Sequence, residues 1–512
     1  MRRTGLKCAR AAYFEGVKSR DRMNERDKMD EQARKVAMAR RAELDRLLAE
    51  RPDRLTRGWP GLTKTDGVGV TPASAAQLER LLAESDWAEG PRGRVRRWTT
   101  RIAVETPGGG PVAIHERGYA FLPVARRPAY SVAYVAESFE LLGVDFIPMR
   151  GEAGWRPSLR DLLFLDTETT GVMGSTGTVA FLVGLGWFEG ETDADGQMQP
   201  REFVVEQLFI DDFCGEEALL ALVAERIAAS EALVTYNGRG YDMPLLEGRF
   251  VMNRMRPAAA RPHLDLLHPA RAVFRAAVGS CSLRNIERNV LGIARTHDVD
   301  GALIPQIFFD YVRGTRRERM VPVVDHNVQD IVSLGALLLD LGDRMSDAQE
   351  PSFEGQAAMA AGFGKLLRRR GQGERSVAFF ERAVAESRDA NLTRSCLAAL
   401  ADLYRRGGRA EEAAEIWRNE WKRRGTRDPE ACMQLVKVYE RHLGDAAAAL
   451  ELVRDAERQS KLSMDLGALT GSSGGAKPPV DFKEWLVRRR LRLERKLEKA
   501  APRQKKRDKG TG

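Results

Sequence analysis

The sequence predicts an α/β domain built on a mixed sheet, followed by a wholly helical, internally repetitive region. Three observations carry this reading. Strand-like apolar runs alternate with helix-period segments from Leu162 to about Met345, the pattern turns purely helical after Phe353, and the helical stretch superposes on itself at shifts of 37 and 35 residues. A length of 512 residues allows roughly three domains at ~150 residues each, and an apolar fraction of 43% suffices for packed cores. The five cysteines (Cys8, Cys214, Cys281, Cys396, Cys432) are odd in number and scattered, without a Cys-x-x-Cys pair. That excludes a disulfide scaffold and points to a reducing cytoplasm. The basic start holds no apolar run long enough for a signal peptide, and no span of ~18 apolar residues occurs, so no membrane association is expected.

Residues 1–70 are charge-rich, with Ala37, Met38, Leu44 and Leu47 at loosely helical spacing, and read as a helical or disordered arm. Residues 71–155 combine a helical stretch, AAQLERLLAESDW, with the β-like runs RIAVET, YAFLPV and YSVAYVA, punctuated by GPRG and PGGG. A small accessory α+β region is expected there. From 156 to 348, LLFLDTE, TVAFLVGLGWF and REFVVEQLFI are three successive strands. EEALLALVAERIA then places Leu219, Val223 and Ile227 on one helical face, ALVTYNG is a buried strand, DMPLLEGRFVMNRM a helix and HLDLLH a short strand.

Within 353–462 the positions Leu367, Tyr404 and Tyr439 align, as do Ser376, Ala413 and Ala448, and Phe380, Trp417 and Leu452. An aromatic or bulky residue, a small one nine later and a bulky one four further on resembles the tetratricopeptide helix-turn-helix repeat. Such units stack into a solenoid whose concave face suits a protein partner; an ordinary helical extension is the plainer alternative. Residues 463–482 read as a flexible linker and 483–512 as a basic tail. That tail holds thirteen Lys/Arg against four Asp/Glu, so its surplus equals the net charge of +9 and the rest of the chain is balanced. It suits either polyphosphate binding or simple solubility.

The sharpest local signal is LLFLDTETTG, an apolar strand ending in Asp166 and Glu168. Side chains two apart on a strand share a face, so these carboxylates converge where the strand meets a turn. At ~4 Å and an effective dielectric of about 20 their repulsion is ~4 kcal/mol, so a cation or a shared proton is expected between them. ALVTYNGRGYDMPLLEGRF runs a strand into a loop holding Asn237, Tyr241 and Asp242. In VVDHNVQDIVSLGALL, His326 and Asp330 are four apart and share one helical face. Each signal alone is compatible with solvated or capping residues.

Together the three segments resemble the motifs of the DEDD exonucleases, a superfamily with a ribonuclease-H-like fold: Asp166-Thr-Glu168, then Asn237 with Tyr241-Asp242, then His326 with Asp330. FLDTETTG with GSTGTVAFLVGLGWF, HLDLLHPAR, SCSLRNIERNVLGI, IPQIFFDYVRG and HNVQDIVSL are similar to the bacterial YprB-type family of ribonuclease-H-like domains, some members of which also carry tetratricopeptide-like repeats. The last motif departs from both DEDD subgroups, pairing the tyrosine spacing with a histidine; whether His326 deprotonates the attacking water or orients it stays open.

The resemblance implies a ribonuclease-H-like mixed sheet flanked by helices, and hydrolysis of a phosphodiester assisted by two Mg2+ or Mn2+ ions. Asp166 would bridge both ions, Glu168 and Asp330 would complete the water-activating site, and Asp242 would hold the second ion. Thr167, Asn237 and Tyr241 would contact the terminal nucleotide. Asp265 is either a further carboxylate of the site or a strand-end residue satisfying backbone donors, and the loop GVMGSTGT either approaches phosphate or simply turns the chain. The implied activity is a 3′-to-5′ exonuclease on single-stranded DNA or RNA ends. The alternative is a nucleic-acid-associated scaffold with a silent nuclease fold whose repeats hold a protein partner, although four intact carboxylates argue against decay. A ribonuclease-H or transposase-type endonuclease would need another carboxylate layout.

Overall fold

The computed structural model describes residues 73–104, 129–143, 155, 157–171, 177–293, 295, 299–346, 357–470 and 480–507. The arm expected over 1–70, the run YAFLPV and residues 172–176 of the glycine loop lie outside them. Two compact units divide the chain: one comprises the residues up to Ala270 with Ser280–Ser346, the other Arg271–Gly279 with the residues from Asp347 onward.

From Ala75 to Ser346 the elements are α1 (Ala75–Ala83), β1 (Asp86–Gly90), β2 (Gly93–Ala103), β3 (Tyr130–Ser131), α2 (Val132–Leu142), β4 (Leu162–Thr169), β5 (Ala180–Thr192), β6 (Gln197–Phe209), α3 (Glu216–Ala229), β7 (Ala232–Thr235), α4 (Asp242–Met252), β8 (His263–Asp265), α5 (Leu267–Val278), helical turns at Leu283–Ile286 and Glu287–Leu291, α6 (Ile304–Val312) and α7 (Val321–Ser346). The strands form one eight-stranded mixed sheet ordered β1-β2-β6-β5-β4-β7-β8, with β3 paired to β6. The three apolar runs read as successive strands become the antiparallel meander β4-β5-β6, and β7 and β8 join in parallel beyond β4.

The region expected to be a small accessory α+β region contributes β2, which pairs with β6 from Arg96↔Phe209 to Ala103↔Glu202. One expectation is corrected here. YSVAYVA, read as β-like, is mostly helix α2: Val135, Phe139 and Leu142 recur at helical spacing and are buried. The Ser131 hydroxyl caps its start by accepting from Tyr134 N, and Gly143 ends it at φ 102. Tyr130 and Tyr134 both donate their hydroxyls to Asp343 at the far end of α7, at 3.0 and 2.8 Å.

Helices cover both faces of the sheet. Gln207 on β6 reaches α7 through Asn327, whereas its neighbour Glu206, facing the other way, takes Arg226 of α3 in a bidentate pair at 2.7 Å. The close seat of α7 depends on two glycines of β5. A Cβ at Gly184 would meet Asn327 and lie 2.8 Å from Ile331 Cγ1, and one at Gly186 would lie 2.5 Å from Ile331 Cγ2. The repeated glycine in VGLGW thus opens a groove for the helix that carries His326 and Asp330.

In the second unit, α8 (Ala357–Arg369) and α9 (Gly373–Glu386), α10 (Ala390–Arg406) and α11 (Ala410–Arg424), and α12 (Pro429–Arg441) and α13 (Ala446–Thr470) form three successive helical hairpins. The aligned positions Leu367, Ser376, Phe380, Tyr404, Ala413 and Trp417 are buried, and the Ser376 hydroxyl donates to Gly364 O at 2.7 Å. All-helical hairpins in tandem fit a repeat region. Helix α13 runs through Thr470, into the stretch expected to be a linker, and the basic tail forms α14 (Val480–Arg507). Phe482, Leu486 and Leu493 give α14 a buried stripe, so it is amphipathic rather than a solvated arm. Part of its charge is used internally: Glu440 of α12, 4% exposed, meets Arg489, Arg492 and Lys496.

Candidate active site

Strand β4 pairs with β7 only from Leu162↔Ala232 to Phe164↔Val234, so its next residues extend past the ladder, where β7 leaves the sheet after Thr235. Ligand crevices in open α/β sheets lie beyond the carboxyl ends of parallel strands. Asp166 and Glu168 occupy that position on one face of β4. On the same face, Gly184 lies opposite Asp166 and admits α7. His326 Nε2 lies 3.9 Å from Glu168 Oε1 and 3.5 Å from Asp330 Oδ2. The strand pair and the helix pair, 160 residues apart in the motif order, are therefore neighbours.

A buried amide relay holds Asp166. Gln207 Nε2 donates to Asn327 Oδ1 at 2.9 Å and to Val324 O at 3.0 Å, and Asn327 Nδ2 donates to Asp166 Oδ2 at 2.9 Å. Both amide residues are at most 1% exposed. Neither was singled out from sequence, although Asn327 lies inside the HNVQD motif.

Asp242 opens α4 and accepts a short hydrogen bond from the Thr167 hydroxyl. Thr167, expected to contact substrate, is thus engaged with a carboxylate of the site. Asn237 adopts φ 66, a left-handed conformation asparagine tolerates, and its residue is exposed. Tyr241 turns inward instead, donating its hydroxyl to Gly171 O at 2.8 Å beside Thr169 Oγ1 at 3.1 Å. Asp265 accepts from the backbone N–H of Asn237, Arg239 and Leu267 at 2.7, 3.2 and 3.1 Å. Of its two readings, the strand-end residue that satisfies backbone donors is the one realised, and it shapes the Asn237 loop.

The electrostatics mark a strained acidic cluster. Loss of solvation holds Asp166 well above the ordinary carboxylate range, and the charges of Asp330, Asp242 and Glu168 push the same way. Burial also pushes Glu168 up to about 8, helped by the charges of Asp330 and Asp242. Asp242 rises to about 6 through burial, resisted by its hydrogen bond from Thr167. These carboxylates share one volume and lack enough local positive charge to ionise together.

Among the described residues, no group of three or more His, Cys, Asp or Glu side chains is arranged as it stands to hold a metal ion. Asp166, Asp242 and Asp330 are each engaged by neighbours: Asn327, Thr167 and Arg295 respectively. The donor set nonetheless fits a hard divalent cation, because it consists of carboxylate oxygens whose mutual repulsion a cation would relieve. Arg295 is the second feature that sequence reading missed. It bridges Glu287, His326 and Asp330, yet Glu287 and Arg295 lie in SCSLRNIERNVLGIAR, where neither spacing nor composition signals a site.

A family model of the RNase_H superfamily matches residues 163–341. The chain is 28% identical over 261 residues to the protein YprB of Bacillus subtilis (strain 168), an alignment covering 50% of this chain and 59% of that protein. The matched span is thus less than two thirds of the relative's length. A solved family B DNA polymerase from the hyperthermophilic archaeon Pyrobaculum calidifontis is 15% identical, in a match that covers 46% of this chain and 30% of that one with a TM-score of 0.27. Residues 163–341 match the RNase_H superfamily model and have a ribonuclease-H-like fold, in a chain similar to YprB over half its length.

Proposed function

We propose that the chain is a divalent-metal-dependent nuclease of the DEDD type that removes nucleotides from the 3′ end of single-stranded DNA or RNA. The observation that carries this reading is the convergence of Asp166 and Glu168 on one strand with Asp330 and His326 on one helix, with Asp242 close enough to raise both strand carboxylates. A nuclease-type hydrolase fits the superfamily of the domain; the 3′ polarity, the single-stranded substrate and the two-ion count come from the resemblance of the motifs.

Asp166, Glu168, Asp242 and Asp330 are the residues that would hold Mg2+ or Mn2+, which when bound relieve charge at the non-bridging and leaving oxygens and acidify the attacking water. The Asn327–Gln207 relay fixes the rotamer of Asp166, and Thr167 fixes Asp242. His326 aims Nε2 between Glu168 and Asp330, where an attacking water can be oriented. The Asn237 loop, shaped by Asp265, offers an exposed amide for the terminal nucleotide. Nucleic acid is the partner this chemistry requires. A second reading, favoured by the three helical hairpins from Ala357 to Thr470, makes the chain a scaffold that holds a protein partner.

A paired assay of wild type and Asp166→Ala on 5′-labelled single-stranded DNA and RNA, with Mg2+, Mn2+ or EDTA, tests the proposal. A metal-dependent ladder of shortened labelled products, absent in the variant, is expected. Equal inertness of two folded proteins on both substrates would leave the scaffold reading.

A further inference from the structure

The geometry points to Arg295 as a positioning residue that, neutralised by Glu287, dictates which nitrogen of His326 carries the proton and which oxygen of Asp330 faces the site. Its bearing on catalysis rests on the nuclease reading; the arrangement itself does not.

Arg295 is 8% exposed at its side chain and Glu287 is 1% exposed. Nε and Nη2 of the arginine donate to Glu287 Oε2 and Oε1 at 2.7 and 2.5 Å, a bidentate pair, and the Ser333 hydroxyl donates to the same Oε1 at 2.5 Å. The pair carries no net charge. It therefore brings directional donors to a carboxylate cluster without adding an uncompensated cation where a divalent ion is needed.

Those donors meet α7 along one stripe, since His326, Asp330 and Ser333 follow at four and then three residues. Arg295 Nη1 lies 3.0 Å from His326 Nδ1. A guanidinium only donates, so Nδ1 accepts and the proton of the neutral ring sits on Nε2. That N–H is the atom 3.5 Å from Asp330 Oδ2 and 3.9 Å from Glu168 Oε1. Arg295 Nη2 also donates to Asp330 Oδ1, leaving Oδ2 as the oxygen turned toward His326. In this arrangement His326 presents a donor to the site and orients the water, its basic nitrogen being turned away. One buried guanidinium thus decides between the two roles that the motif leaves open.

Ring 15N spectra of histidine-labelled protein, followed in a pH series until the rings are neutral, read the tautomer directly, with His326→Asn assigning one of six signals. Wild type is expected to show the Nε2–H form. Arg295→Met combined with Glu287→Gln removes both charges, so that Glu287 is not left as a buried carboxylate without its arginine. His326 should then become a tautomer mixture, and Mn2+ binding followed by electron paramagnetic resonance should weaken by about 10-fold or more. Arg295→Lys keeps the charge and loses the fork; it should hold Glu287 while freeing the tautomer, and it carries the test if the double variant does not fold. A wild-type Nδ1–H ring, or a folded variant that keeps the wild-type tautomer and Mn2+ affinity, overturns the assignment. The tautomer is read without substrate, so a chain inert on nucleic acid that still shows Nε2–H defeats the nuclease reading and leaves this one standing.

Discussion

Asn327 Nδ2 donates to Asp166 Oδ2 at 2.9 Å, joining the longest helix of the α/β unit to the strand that bears the first carboxylate. Because His326 precedes this amide by one residue and Asp330 follows it by three, the single hydrogen bond registers both against Asp166. It ties the third motif to the first.

Asn327→Ala should release Asp166 and leave the Gln207 amide short of a partner. A loss of ~1–3 kcal/mol is expected from the unpaired buried groups, read by urea unfolding. A fall in kcat of about 10- to 100-fold should accompany it, because small misplacements of a reacting group are costly. Unchanged kcat in the folded variant would remove Asn327 from the site.

Gly184→Val should push α7 off the sheet, since a Cβ there meets Asn327 and Ile331. Overpacking of this kind costs ~1–3 kcal/mol. Gly248 in α4 has no atom within 4 Å of a built Cβ, and Gly248→Ala should stabilise by up to ~1 kcal/mol. Thermal melts of the two variants should therefore shift in opposite directions.

The acidic cluster predicts a pH dependence whose sign follows from linkage. Glu168 rises from 4.5 to about 8 on folding and Asp242 from 3.8 to about 6, so the folded state keeps protons that the unfolded state has released. Stability in EDTA should accordingly be fully present at low pH and decline as pH rises through about 6 and about 8. Glu168→Gln should flatten the upper part of that decline. Mg2+ should raise Tm more at the alkaline end than at the acid end, by competing with those protons. A cluster whose wild-type Tm in EDTA rises across the window, and is unaffected by Glu168→Gln, would contradict this.

Arg488, Arg495 and Lys499 lie on the exposed side of α14, away from the buried stripe of Phe482, Leu486 and Leu493. Changing all three to Gln should weaken binding of single-stranded nucleic acid more at low salt than at high salt, and lower the slope of log K against log salt. Identical binding across the salt series would show that this helix does not touch phosphate.

Much of the site was readable from residue order because its signals are local. Two carboxylates at strand spacing, a histidine and an aspartate at helical spacing and a loop asparagine before Tyr241-Asp242 each follow from a short repeat of the backbone. The meander and the helical hairpins were legible for the same reason, while YSVAYVA misled because its β-branched composition outweighed the helical spacing of Val135, Phe139 and Leu142. Packing alone settled the rest. No periodicity relates Gln207 to Asn327, or Glu287 and Arg295 to His326, since these contacts join a strand to a helix and a helical turn and its following loop to that same helix. The seat of α7 on Gly184 and Gly186 brings Asn327 to Asp166, and the Glu287–Arg295 pair meets His326 and Asp330 on the same helix. Sequence spacing specifies which face a side chain occupies; which faces meet depends on where glycines, amides and a buried ion pair let the elements come together.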